Sequence, residues 1–502
     1  MLALSRREFR ELAPAGKWCP IALKIPLEAG APELFEALSF AAPSILLESA
    51  RIHPVTGRYS FLVGDPSRTL LAKAHQVTVT TREGSLTRHT DPMRLLEEFL
   101  REKPALRLAG FPPFVGGAVG FLGFDAYRYF EEVAPYAQDD LHLPDVGFIF
   151  CDEAVILDHA LNHLWVIALA APGENPDFAY DEAVARVETL LKRVMRSSEK
   201  KTGIRYQDLN AQAKTVSDTE MRSTHTRESF EEMVRQAKRL IGEGEIYQAN
   251  LSQRFSAPLS SSPWGLYERL RAINPSPFAA FADFGEFQII SASPERFLRT
   301  RGDRVETRPI AGTRPQGDTL AKRRKLRREL LLNEKERAEH LMLVDLERND
   351  LGRIARYGSV EVDTLMELEE YSHVIHIISN VRGLLREGVT LRDLMAATFP
   401  GGTITGCPKV RCLEILEMLE PVRRQLYTGS LGYVSYTGDM DMNLLIRTAF
   451  VSGDTAHFHA GAGIVADSDP TREYEETLHK AQALFLALHA ESRQEAATAI
   501  PT

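Results

Sequence analysis

Short apolar runs separated by turn residues fill residues 1–195. SILLES, YSFLVG, QVTVTT, VGFIFCD and LWVIAL have the length and the β-branched or aromatic enrichment of strands. A 3.6-residue apolar period in YDEAVARVETLLKRVMR predicts a helix that closes this half. The stretch 196–226, RSSEKKTGIRYQDLNAQAKTVSDTEMRSTHT, is polar and aperiodic and reads as a connector. Over residues 227–495, helical segments such as RESFEEMVRQAKRLIGEG alternate with strand runs: FQIISAS, SLGYVSY, LLIRTAFVSG and AHFHAGAGIV. YTGD and SGDT are hairpin punctuation and favour antiparallel pairing. The fold predicted is α+β, with large antiparallel sheets covered by helices.

Length adds a soft expectation of two or three domains for 502 residues, at about 150 residues each. A net charge of −9 argues against nucleic acid as the main partner, since phosphate binding needs a basic face. It leaves room for an anionic substrate held by a local cluster of cations. The four cysteines, Cys19, Cys151, Cys407 and Cys412, are too few and too scattered for a disulfide scaffold or a zinc knuckle. Without a signal-type leader or a run of roughly 18 apolar residues, the expected location is cytoplasmic.

Candidate chemistry concentrates in the second half. Glu336 and Glu339 stand i, i+3 in NEKERAEHLMLVDLERND; Glu473 and Glu476 repeat the spacing in TREYEETLHKAQALF, with Lys480 four residues on. Each pair alone is most often a solvated helix face, yet two pairs without zinc-type histidine spacing suit a hard ion such as Mg²⁺. RPIAGTRPQG resembles an anion-holding turn, with Gly312 and Thr313 between Arg308 and Arg314. FPGGTITGCPKVRC leads through Thr403 to Pro408 at the expected first helical position, and exposed N–H groups there attract anions. Gly461-Ala462-Gly463 marks either a sharp turn or a close backbone approach at the end of a strand. His376 fits a half-buried face. Arg447, inside an apolar strand run, needs an anionic partner if it is buried.

PIAGTR, EKERAEHLMLVDLERNDLGR, FPGGTITGCPKVR, GSLGY, IRTAF and GAGIVADSDPTREYEET, in this order, resemble the chorismate-utilising enzymes, among them the large subunits of anthranilate synthase and aminodeoxychorismate synthase. LLESA and RYSFLVG extend the resemblance thinly into the first half. The resemblance implies a two-sheet antiparallel sandwich wrapped by helices, with the site in its cleft. It further implies Glu339 and Glu476 as Mg²⁺ ligands with Glu336 and Glu473 close by. Chorismate would be held by Gly312, Thr313, Tyr433, Arg447, Gly461, Ala462, Gly463 and Lys480. Glu295 would be the general acid, with His376 and Thr403 assisting the loss of pyruvate.

Two positions distinguish relatives within that family. Gln248 stands where the water-adding isochorismate enzymes resemble one another in carrying a lysine base, which implies ammonia as the nucleophile. Ala311 stands where typical aminodeoxychorismate synthases carry an attacking lysine. The resemblance therefore implies amination at C2 and release of pyruvate to give anthranilate, in tryptophan biosynthesis. Aminodeoxychorismate is the alternative product, favoured by the phrasing FPGGTITG, and a non-catalytic binding protein on the same fold is a weaker one. The family also implies a separate glutamine amidotransferase subunit as ammonia source. Ser49 and Pro275-Ser276-Pro277 resemble a tryptophan feedback pocket, although LLES can equally be a sheet edge and NPSP a turn.

Overall fold

The computed structural model describes residues 2–13, 16–53, 56–173, 175–197, 221–315, 319–370 and 374–489; most of the expected connector, residues 198–220, lies outside them. Two 12-stranded antiparallel sheets form the body. The first runs from Cys19–Pro26 through His163–Ala170, Glu153–Asp158, Tyr59–Val63 and Ser44–Glu48. It continues through Phe278–Asp283, Phe287–Ser293, Thr448–Ser452 and Thr455–Ile464 to Gln248–Pro258. The second runs from Ile310–Pro315 through Val374–Leu384, Arg304–Thr307, Arg296–Arg301, Met440–Leu444 and Ser430–Ser435, then into Gly117–Leu122, Val146–Cys151 and the meander Arg68–His89. Strands from both sides of the connector enter both sheets: Ser44–Glu48 pairs with Phe278–Asp283, and Gly117–Leu122 with Ser430–Ser435.

Continuous apolar runs such as HLWVIALA arise because the first sheet is buried on both faces. Trp165, Ile167 and Leu169 point into the core shared with the second sheet. Leu164, Val166, Ala168 and Ala170 point the other way, under the helices Ala31–Leu38, Pro176–Ser197, Pro263–Ile273 and Pro470–His489. Period-two alternation then appears as two apolar faces rather than as apolar against polar. Among the described residues no helix is long and apolar enough to cross a membrane.

Two local expectations are corrected. LLIRTAFVSG is not one strand: Met440–Leu444 belongs to the second sheet and Thr448–Ser452 to the first, and Arg447 at the break has φ +51°. Pro408 occupies the N-cap of helix Lys409–Leu419 rather than its first turn. The glycine triplet lies at the end of strand Thr455–Ile464 as expected, where Gly461, Ala462 and Gly463 pair in register with Ser252, Leu251 and Asn250.

Candidate active site

Two neighbouring strand pairs pass from one sheet to the other at the same place. Phe287–Ser293 pairs with Thr448–Ser452 in the first sheet, and Arg296–Arg301 with Met440–Leu444 in the second. The residues at the crossing are Glu295 and Leu445–Arg447. Backbone bonds lock them together: Leu444 N–H donates to the Glu295 carbonyl at 3.0 Å, and Ala292 N–H to that of Arg447 at 3.1 Å.

The Glu295 side chain is buried. Burial pushes its carboxyl up to about 8, against the Thr403 hydroxyl, which donates to it at 3.1 Å, and against the charge of Arg447. His376, on strand Val374–Leu384, is also buried and is held down to about 4, by desolvation first and then by Arg447. Its Nδ1 lies 3.2 Å from the Gly312 carbonyl, so Nδ1 carries the proton and Nε2 is the acceptor. Arg447 thus acts electrostatically on both residues. It also reaches Asn274 Oδ1 at 3.5 Å, the residue before Pro275.

Gly312 sits at a bulge between Ala311 and Thr313, where the strand Ile310–Pro315 pairs with His376 and its neighbours. Its φ of +61° favours glycine, and a Cβ there would lie 2.8 Å from Glu336 Oε2. The side chain of Thr313 lies outside the described residues.

The loop Gly401–Cys407 ties this group to a second one. Thr403 holds Glu295, the Thr405 carbonyl accepts from Asn250 N–H at 3.1 Å, and the Cys407 carbonyl from Tyr247 N–H at 2.7 Å. Gln248 and Asn250, i and i+2 on one face of their strand, each bury an amide oxygen with no hydrogen-bond partner among the described residues. Both amides face the glycines: a Cβ at Gly463 would lie 2.9 Å from Gln248 Nε2, and one at Gly461 would lie 3.0 Å from Asn250 Oδ1. The triplet is therefore a close-approach wall. Ala462 between them is buried in the core, facing away. Lys480 Nζ donates to the Gly461 carbonyl at 3.0 Å.

Four residues enter here that motif reasoning did not single out. Tyr427 places its hydroxyl 2.8 Å from where a Gly461 Cβ would be, and stacks on His459 at 5.1 Å. Asn250 was hidden in an ordinary strand run. Buried Arg424 bonds the Asn250 carbonyl and ion-pairs with Glu420, fixing that strand. Glu347, in the quoted DLERND segment, is buried beside Glu295, and desolvation followed by Asp350 pushes its carboxyl up. A buried polar residue in an otherwise regular helix was the available signal.

Tyr433 goes elsewhere. Buried, with Phe61 at 5.0 Å and Phe114 at 5.3 Å, it lines a separate cavity of about 650 Å³ together with Ser49 and Pro277. Spacing within GSLGY could not tell Tyr433 from Tyr427, because only the approach of Gly461 identifies which ring faces the cleft. In that cavity the Ser49 hydroxyl donates to the Tyr59 carbonyl at 2.7 Å, and Ser276, buried nearby, accepts on its carbonyl from Arg51 N–H. Pro275 is half-buried and precedes it in the same turn.

The carboxylates assigned to an ion ride two helices. Glu336 and Glu339 ride helix Glu334–Gly352, whose N-cap Asn333 accepts Glu336 N–H at 3.0 Å. Glu473 and Glu476 ride helix Pro470–His489, where Glu473 is buried and Glu476 is paired with Lys480 at 2.7 Å. Among the described residues no group of three or more acidic, histidine or cysteine side chains is placed to hold a metal ion.

The family model of the chorismate binding enzymes matches residues 56–486. Aminodeoxychorismate synthase component 1 of Bacillus subtilis (strain 168) is 41% identical over 479 residues, 95% of this chain and 97% of that one. Anthranilate synthase component 1 of Thermus thermophilus is 43% identical over 448 residues, 89% and 92% of the two chains. The crystal structure of anthranilate synthase component I from Streptococcus pneumoniae TIGR4 superposes with a TM-score of 0.73 at 33% identity, covering 87% of this chain and 94% of that one. With this match running through every element that builds the cleft, the chain belongs to the chorismate-binding family and is a chorismate-utilising enzyme.

Proposed function

We propose that the protein is the large subunit of an anthranilate synthase, which aminates chorismate with ammonia and releases pyruvate. The observation that carries this reading is the pair of buried amide oxygens on Gln248 and Asn250. Acceptors without donors suit a nucleophile that brings N–H groups, and a neutral amide cannot deprotonate water.

In this reading ammonia forms the new bond at C2 of chorismate while the C4 hydroxyl leaves as water, taking its proton from Glu295, and the proton shed by the new C2 ammonium restores the Glu295 acid. A carboxyl with a pKa of about 8 is protonated at neutral pH and fit for that task. His376, neutral at that pH, then removes the C2 proton through Nε2. The C3–O bond breaks, enolpyruvate leaves and takes a proton to become pyruvate, and the ring becomes aromatic. Arg447 and Lys480 supply positive charge for the two carboxylates, and Tyr427 a hydroxyl beside Gly461.

Mg²⁺ is part of the proposal on the chemistry of its oxygen donors alone, and no step is routed through it. A glutamine amidotransferase subunit is proposed as the ammonia source, since relatives at about this similarity are named component 1. Tryptophan is proposed as the ligand of the Ser49 cavity.

A second reading, aminodeoxychorismate synthase component 1, is favoured by the Bacillus subtilis relative. Ala311 supports the first, because no lysine is present there to attack C2. The test is to incubate the purified chain with chorismate, Mg²⁺ and ammonium chloride at mildly alkaline pH. Anthranilate fluorescence with equimolar pyruvate supports the proposal; an aminated product without pyruvate moves the protein to the second reading.

A further inference from the structure

Helix Leu320–Leu332 carries six cations, Lys322, Arg323, Arg324, Lys325, Arg327 and Arg328, against one carboxylate, Glu329. Thirteen residues thus hold a local charge of +5 in a chain whose net charge is −9. Arg323, Leu326, Arg327 and Leu330 stand at i, i+3, i+4 and i+7 and form the covered stripe, with Leu330 fully buried against Ile375 and Ile377. Lys322, Arg324, Lys325 and Arg328 are exposed. Lys325 lies 3.7 Å from Glu329, an exposed pair of little weight. Like charges at i, i+3 and i+4, such as Lys325 and Arg324 with Arg328, weaken a helix, so this cluster is not there for the helix's own stability.

The helix covers the back of a wall of the cleft. Strand Ile310–Pro315 pairs with Val374–Leu384, with Ala311 opposite Ile377. Ile375 and Ile377 turn toward Leu330, so His376 between them turns to the opposite face of the strand. A Cβ at Gly312 would lie 2.9 Å from Leu330 Cδ1. The cations therefore stand one strand layer behind Gly312 and His376. Asn333 is at once the C-cap of this helix and the N-cap of the next, which sets the cations beside Glu334, Glu336 and Glu339. Those carboxylates by themselves would turn a dianion away.

We propose that helix Leu320–Leu332 is an electrostatic capture surface for chorismate, whose cations draw the dianion toward the cleft through the strand layer without touching it. The inference rests on the assignment of Gly312 and His376 to the chorismate cleft, and it holds for either aminated product. Charge one layer away acts by its field rather than by contact, and the low dielectric of the packed wall leaves that field less weakened than water would. The Debye length is about 30 Å in 0.01 M salt and about 8 Å in 0.15 M, so the capture is strong in dilute buffer and fades as salt is added.

The test reverses two exposed charges, Arg324→Glu with Arg328→Glu, and leaves the covered stripe intact. Chorismate binding is measured by calorimetry with Mg²⁺ and without ammonia, in about 20 mM and about 200 mM potassium chloride, so that no turnover is needed. The variant is expected to bind chorismate about fivefold more weakly at the lower salt, and within about twofold of the unaltered chain at the higher. With ammonium chloride held constant, KM for chorismate is expected to rise by the same factor at low salt while kcat is unchanged. Arg82→Glu with Arg88→Glu makes the same charge change around strand Gly84–His89, at the opposite end of the same sheet, and is expected to bind as the unaltered chain does. Unweakened binding, equal weakening at both salt concentrations, or equal weakening in both variants overturns the proposal. An unaltered chain that does not bind chorismate contradicts the assignment of the cleft itself, a separate failure.

Discussion

Glu295 and Arg447 sit side by side at the two points where adjacent strands leave one sheet for the other. Each is fixed by a backbone bond from the other's strand, Leu444 N–H to Glu295 and Ala292 N–H to Arg447. A crossing exposes backbone and side chains that a continuous sheet would cover, and it sets a buried acid beside a half-buried cation. The left-handed φ of +51° at Arg447 is a strained conformation for a non-glycine residue, kept where surrounding structure fixes it.

The raised carboxyl of Glu295 predicts both activity and stability. It is protonated below about 8, so kcat/KM expressed per NH₃ is expected to fall as pH rises through that value. Thr403 lowers this pKa by its hydrogen bond, so Thr403→Val is expected to move the alkaline limb upward. The unfolded chain ionises at the ordinary carboxylate value, so stability drains between there and about 8. Glu295→Gln is then expected to raise stability at neutral pH by on the order of 3 kcal/mol, and to cut turnover by about a thousandfold. Denaturant melts at pH 5 and pH 8 check the first: a gain that does not grow with pH contradicts the buried neutral acid.

His376 is assigned to the second half-reaction alone. His376→Ala is expected to leave amination in place and to accumulate the aminated, non-aromatic intermediate, with pyruvate release reduced by about a hundredfold or more. Chromatography of the product mixture reads this directly. Equal loss of chorismate consumption and pyruvate release would remove the assignment.

Ala311 pairs with Ile377 beside the Gly312 bulge, one residue from Ile310, whose backbone N–H bonds Glu295. A lysine there would enter the space assigned to ammonia. Ala311→Lys is expected to lower anthranilate formation by about a hundredfold. Wild-type rates in the variant would show that the position does not govern the product.

The Ser49 cavity is tested by titration. L-Tryptophan is expected to inhibit the wild-type chain, and Ser49→Phe, which fills the cavity, to abolish inhibition with turnover retained. The path between the sites is short in sequence, because Asn274, bonded to Arg447, adjoins Pro275. No inhibition at saturating tryptophan removes the ligand but not the cavity.

Because no group of three or more acidic, histidine or cysteine side chains is placed for a metal among the described residues, Mg²⁺ is expected to bind weakly to the free chain and tightly only with chorismate present. Calorimetry with and without chorismate checks this, and EDTA should stop turnover. Turnover undiminished by chelation would remove the ion from the reading.

Much was legible in the chain itself. Strand runs such as HLWVIALA and helices such as NEKERAEHLMLVDLERND follow from local periodicity, and Glu295, His376 and Thr403 lie in motifs with a defined order. Local pattern fixes local structure because side-chain period and backbone geometry are coupled residue by residue. Tertiary structure alone decided which strands cross between sheets, and so split LLIRTAFVSG at Arg447. It sent Tyr433 to the Ser49 cavity and turned Tyr427 toward Gly461. These depend on which faces meet across hundreds of residues. No local window encodes that, since register and packing partners are chosen by the burial of whole sheets.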